Sequence, residues 1–221
     1  MLEIACFNAL SAIAAAKAGA DRIELCADYA AGGVTPSLAT LRGIRKETMI
    51  PINVMIRPRG GDFDHSDSEF EQMKDEIRLF KPVASGFVFG TLDSNHRVDE
   101  ARNRELVHLA APLPCTFHRA IDEVEEMDEA VDKVIGCGFK SILTSGGMKS
   151  AGEGVKTVQQ LQKRFGQNII LILGGGVRST NVEGLKRRTG VEWLHSAAIT
   201  TPGEDVDEDE VRKMQDILSA F

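Results

Sequence analysis

None of the four cysteines, Cys6, Cys26, Cys115 and Cys137, lies in a C-x-x-C pair, and no disulfide spacing is apparent. That points away from a stapled secreted scaffold and toward reduced cytosolic thiols. No apolar run approaches the roughly 20 residues that cross a bilayer. The opening MLEIACF has neither the basic region nor the cleavage site of a secretory signal, so a cytoplasmic location is expected. Positive charge is not in excess: the net charge is -7, which gives no support to nucleic-acid or membrane-surface partners. No G-x-G-x-x-G follows the first apolar run, which counts against a dinucleotide fold. No H-x-H appears in that run, and no lysine falls on any expected strand. A familiar hydrolase metal pattern and a strand-borne Schiff base are thereby disfavoured.

What is present is one alternation from end to end of 221 residues. Strands are expected at 2–7, 22–27, 51–57, 86–90, 114–120, 141–145, 169–174 and 192–197. Several are near-continuous apolar runs, as parallel strands covered by helices require. Helices are expected between them. The first runs over 9–18, with Asn8 as cap and Gly19 as stop. Thr35-Pro36 opens the second. Stripes at helical spacing mark the third (Phe70, Met73, Ile77, Phe80), the fifth (Val124 to Val134, ending at Gly136) and the sixth (Val155 to Phe165). Segments 101–111, 179–188 and 207–219 complete the set. Eight β-then-α units with short connections predict a parallel sheet closed as a TIM-type (β/α)8 barrel, one domain over residues 1–221, with an open doubly wound sheet as runner-up.

In such barrels the site lies at the C-terminal ends of the strands, and the unusual residues collect there. Arg57 ends strand 3, with Arg59 and Asp62 in the loop RPRGGD. Glu24 and Cys26 end strand 2, and His118 and Arg119 end strand 5. Thr144 and Ser145 end strand 6, Gly174, Gly175 and Gly176 follow strand 7, and His195 ends strand 8. Side chains alternate along a strand, so Glu24 with Cys26, Met55 with Arg57, Thr116 with His118 and Trp193 with His195 each share a face. If those faces point inward, Glu24, Arg57, His118 and His195 meet in one mouth, with Glu3 beneath. A buried carboxylate facing arginine and two histidines has the parts for proton transfer. The glycine turn before Arg178, together with Arg57 and Arg59, suits a small anion, including a phosphorylated one.

The segments GADRIELC (19–26), GGVTPS (32–37), MIRPRGGDF (55–63), FHRAID (117–122), LTSGG (143–147), GGGVR (174–178) and LHSA (194–197) run in order across nearly the whole chain. In them the chain resembles the CutC family, named for copper homeostasis. The resemblance implies a TIM-type barrel, cytosolic copper handling and Cu(I) held by cysteines, here Cys6 and Cys26. Soft thiolates suit Cu(I). Strand parity favours Cys26, since Cys6 is out of phase with Glu3. Two functions stand side by side at this point. One is copper homeostasis with Cu(I) as partner. The other is an enzyme acting on a small anion with Glu24, His118, His195 and Glu3. A homo-oligomer, with a dimer favoured, is expected in either case.

Overall fold

The computed structural model describes all 221 residues. Eight parallel strands close into a barrel in sequence order. They are β1 (Leu2–Cys6), β2 (Arg22–Leu25), β3 (Ile52–Met55), β4 (Gly86–Phe89), β5 (Cys115–Phe117), β6 (Ser141–Thr144), β7 (Ile170–Leu173) and β8 (Trp193–Ser196). The helices are α1 (Ala9–Lys17), α2 (Leu38–Glu47), α3 (Asp67–Phe80), α4 (Glu100–Ala110), α5 (Met127–Cys137), α6 (Ala151–Phe165), α7 (Val182–Thr189) and α8 (Glu208–Leu218). The closed barrel holds over the open sheet because β1 pairs with both β2 and β8. Glu3 lies opposite Arg22 on one side and His195 on the other.

Period-two alternation divides each strand between two environments. Leu2, Ile4, Ile23, Leu25, Val54, Phe87, Phe117, Ile142, Leu171 and Leu194 face outward into the layer shared with the helices. Each such side chain contributes about 1.5–3 kcal/mol when fully buried, so the fold draws most of its stabilisation from this outer layer. The lumen holds only two small apolar clusters, Cys26–Met55–Val88 and Leu143–Ile172–Trp193. Its remaining buried positions include the polar Glu3, Glu24, Asn53, Thr116, Ser141 and His195. Buried polar groups cost free energy unless paired, and in the lumen Glu3 pairs with Arg22 and His195 and Thr116 with Ser141, while one oxygen of Glu24 is left without a partner.

Helix starts follow capping chemistry. Asn8 accepts from the Ser11 amide, and Ser66 with Glu69 forms a full capping box on α3. Asp207 caps α8, whose first turn holds Glu208, Asp209 and Glu210, as the acidic stretch there predicts. Several boundaries differ from the sequence expectation, and two of the differences have a side-chain cause. The second helix starts at Leu38 with Ser37 as its cap, because Thr35 is drawn to the sheet. Its Oγ1 accepts from the Arg57 amide at 2.9 Å and donates to Glu76. The fifth strand stops at Phe117, where His118 caps a 3₁₀ turn over Arg119–Glu123. That turn delays α5 to Met127 and leaves Val124 outside it.

One close approach couples a helix to the mouth. A Cβ on Gly154 of α6 would lie 1.7 Å from the Ser145 carbonyl oxygen. Helix propensity alone favours Ala there by about 0.5–1 kcal/mol, whereas forced overpacking costs about 1–3 kcal/mol. Gly154→Ala is therefore expected to lower stability by about 1–2 kcal/mol in urea unfolding. A raised midpoint would contradict the close packing of α6 on the β6 loop.

Candidate functional site

At the C-terminal ends of the strands the lumen opens into a cavity of about 340 Å³. Its wall includes Glu24, Cys26, Met55, Arg57, His118 and His195 from strand ends, and Arg119, Gly175, Gly176 and Arg178 from loops. The convergence expected from parity is thus realised. Phe7, Tyr29 and Phe63 add an aromatic flank, with Phe7 and Tyr29 edge to face at 5.0 Å.

A charge relay lies below the cavity. The two oxygens of Glu3 bridge the seam between β2 and β8: Oε2 accepts from Arg22 Nε at 2.5 Å, and Oε1 lies 2.8 Å from His195 Nδ1. Burial alone would raise the Glu3 carboxyl, but His195 and Arg22 hold it below its ordinary value. His195 Nε2 faces Glu24 Oε2 at 3.8 Å. Burial works against the charged imidazole, yet Glu24 and Glu3 outweigh it and raise its pKa. Glu24 is raised, chiefly by burial, with the Glu3 charge adding to it. Its Oε2 accepts from Cys26 Sγ at 3.6 Å, while Oε1 is buried with no partner. Two carboxylates and one imidazole thus occupy separate protonation regimes within a few ångströms.

On the opposite wall His118 is 3 % exposed. Its Nδ1 accepts from the Ala120 amide at 3.3 Å, which puts the ring proton on Nε2. Burial, then the charges of Arg57 and His65, push its pKa well below 6.5, so the ring is neutral. Nε2 has no partner in the chain. Arg57 is also buried and makes no contact ion pair, the charges of Glu123 and Asp62 acting on it only from a distance. Its guanidinium is held by the Gly33 and Gly61 carbonyls at 3.2 and 2.6 Å and lies over the Phe63 ring at 4.6 Å. Arg57 thereby joins the loops after β2 and β3 while its charge stands beside the cavity without a contact carboxylate.

Several expected site residues have other duties. Arg59 turns away to pair with Asp62 and Glu69 on the half-exposed rim, so Arg59 and Asp62 do not reach the cavity. Thr144 and Ser145 serve Asp122, which accepts from Thr144 Oγ1 at 2.5 Å and from the Ser145 and Gly147 amides at 3.0 Å. Asp122 also takes Arg119 Nε at 2.8 Å. Gly174 packs between Leu143 and His195 instead of lining the opening. Cys6 points outward into the helix layer, its Sγ directed to the Ile4 carbonyl, so the Cys6–Cys26 pair does not converge. Arg22 was missed, although it shares the parity of Glu24 and could have been placed beneath it. His65, buried behind the mouth with both ring nitrogens unpartnered, gave no signal in the sequence.

The model of the CutC family matches residues 1–200. The chain belongs to the CutC family. The human copper homeostasis protein cutC homolog is 39% identical over 202 residues, covering 91% of this chain and 74% of the relative. A CutC family protein of Enterobacter sp. (strain 638) is 42% identical over 199 residues, covering 90% and 80%. A crystal structure of a CutC protein from Streptococcus agalactiae superposes with a TM-score of 0.84 at 30% identity, covering 89% of this chain and 98% of that one.

Copper in those names makes the soft donors worth testing against the geometry. Cys26 is the single thiol on the cavity wall, and burial followed by the Glu24 charge holds it well above the usual thiol range. Cys115 lies on the outer face, its thiol pushed up to about 12 by burial. Cys137 is directed to the Glu100 carbonyl. The thioether of Met55 shares the Cys26 cluster, so the cavity offers Cu(I) one thiol and one thioether, not two thiolates.

The neutral state of His118 has a consequence for stability. A base whose folded pKa lies below its unfolded 6.5 takes up protons on unfolding, so it withdraws stability as pH falls below about 6.5. His118→Gln is expected to flatten the fall of Tm between pH 6.5 and 5; His65, also lowered mainly by burial, adds to that fall, while the raised Glu24 and His195 oppose it. An unchanged slope would show that His118 is charged in the fold.

Proposed function

We propose that this CutC protein binds a small anionic carbonyl compound in the mouth of the barrel and moves a proton to or from it, with Glu24 as the acid/base. One observation carries the reading. Glu24 Oε1 and His118 Nε2, a proton acceptor and a hydrogen-bond donor, are both buried at the cavity with no partner in the chain. Leaving a buried polar group unsatisfied costs about 1–3 kcal/mol, and a ligand that meets both recovers it. Glu24 takes the proton. His195, held by Glu3, lies beside the Glu24 carboxylate that the proton neutralises. His118 donates Nε2–H to the substrate oxygen that becomes negative, and because it is neutral it gives up no charge in doing so. Arg57 supplies the attraction for the anion, and Glu3 and Arg22 position His195. The location that fits is the cytoplasm, where four buried free thiols stay reduced.

The test begins with small phosphorylated and carboxylated carbonyl compounds in D₂O. Compounds that raise Tm are expected to exchange a carbon-bound proton by NMR. Glu24→Gln should slow that exchange by about 10²–10⁴-fold while keeping the Tm shift. The rate should fall as the medium is acidified through the raised pKa of Glu24, above its ordinary 4.5. If no anion stabilises the protein and none exchanges, the proposal is wrong.

A second reading, direct Cu(I) binding, is favoured by the Cys26–Met55 pair. In a Cu(I) titration under reducing conditions, Cys26→Ala is then expected to abolish stoichiometric binding and Cys6→Ala to leave it intact. Equal binding by both variants would exclude the cavity as the copper site.

A further inference from the structure

The turn after β7 has a geometry that acid/base chemistry does not use. Gly175 and Gly176 are both left-handed, at φ 104° and 76°. Their carbonyls are tied back into the protein: Gly175 O accepts from the Ala151 amide at 2.7 Å, and Gly176 O from Asn181 Nδ2 at 2.9 Å. In a trans peptide the N–H points opposite the C=O. Anchoring Gly175 O on α6 therefore turns the Gly176 N–H the other way. The amides of Gly175 and Gly176 make no hydrogen bond within the chain, and both residues line the cavity. Successive N–H groups in such a turn form a concavity for an anion.

Two guanidinium groups stand beside it. Arg178 is held only by oxygens of Val177, Ser196 and Ile199 and has no carboxylate partner. Arg119 donates to Ser145 Oγ at 2.8 Å, and Ser145 packs against Gly175, where a Cβ would meet its Cβ at 3.1 Å. Beyond Arg178 the segment leading to α7 does not line the cavity, and Glu210 takes the Ser179 amide there at 2.6 Å and its hydroxyl at 2.8 Å. The free amides thus belong to the turn. A Cβ on the neighbouring Gly174 would lie 3.3 Å from His195, so whatever sits on this turn is next to the proton-transfer groups.

We infer that this turn is a phosphate subsite, with the Gly175 and Gly176 amides and the Arg119 and Arg178 guanidiniums receiving the terminal phosphate of a phosphate monoester. The inference rests on the anionic-substrate reading and gives that substrate its class. The three non-bridging oxygens of a phosphate match converging donors from a backbone turn and two forks, which a single carboxylate would leave partly unused. The unpartnered, buried His118 Nε2 across the same cavity provides for the other end of the molecule.

Inorganic phosphate and malonate are the probes, with binding to the purified full chain followed by calorimetry and by the His118 and His195 imidazole NMR signals. Gly176→Asn accepts a left-handed φ and adds no charge; its Cβ meets nothing within 4 Å. Gly176→Asp is nearly the same shape and negative. Phosphate is expected to bind the native chain and Gly176→Asn, with Kd raised at least tenfold in Gly176→Asp and in Arg178→Gln. Phosphate binding that ignores both of these substitutions overturns the subsite and leaves an anion elsewhere in the mouth. Malonate binding without phosphate binding also overturns it, in favour of a carboxylate substrate. Silence from both probes overturns the subsite and the anionic reading together.

Discussion

The carboxylate of Glu3 is the constraint around which the barrel closes. It sits on the strand that pairs with both β2 and β8, and its two oxygens reach one partner on each: Arg22 on β2 and His195 on β8. All three are largely buried, and Arg22 lies 3.9 Å from the Trp193 ring at the barrel floor. Removing one member of such a network leaves a buried charge uncompensated, at about 3–5 kcal/mol. The closing seam and the His195 imidazole therefore share one set of contacts. His195 is oriented by the interaction that closes the barrel, and it in turn sets the field at Glu24.

A second hub organises the opposite arc. Asp122, in the turn after β5, gathers the Thr144 hydroxyl, the amides of the β6 loop and Arg119. This fixes the path of the loop that packs against Gly154 of α6 and Gly175 of the β7 turn. One hub thus sets the proton-transfer groups on β1, β2 and β8, and the other sets the loop wall on β5, β6 and β7. Arg57 does comparable work for the β2 and β3 loops through backbone carbonyls, so its charge stays unspent. The lumen combines an acidic, proton-carrying floor with cationic walls, a division suited to a substrate that carries charge at one end and reacts at the other.

The family name and the chemistry of its most distinctive residues point in different directions. CutC relatives are named for copper homeostasis, whereas the distinctive strand ends of this chain bring Arg57, His118 and His195 to the cavity wall. Cu(I) finds one thiol and one thioether on the cavity wall, and that thiol is held protonated by burial and by Glu24. Both roles draw on the same cavity, since Cys26 donates to the Glu24 oxygen opposite the free one. Copper on Cys26 and proton transfer at Glu24 would therefore compete.

Eight strand runs, the helical segments between them and the stripes of the third, fifth and sixth helices were written in the chain, because strand and helix periodicities are local properties of neighbouring residues. Parity along each strand likewise placed Glu24, Arg57, His118 and His195 on one surface before any coordinates, since the two-residue repeat cannot be evaded within a strand. The same logic separated Cys6 from Cys26. Loop residues escaped it. Arg59 and Asp62 lie one turn beyond β3 yet face α3, and Thr144 and Ser145 spend their groups on Asp122. Nothing in a loop's order of residues says which carbonyls and carboxylates it will meet. Only closure of the barrel brought Glu3 between strands 19 and 192 residues away, set Gly176 on the cavity wall and left His118 and Glu24 each with one atom unpartnered. Those are contacts between segments distant in the chain, and their geometry exists only once the sheet has closed on itself.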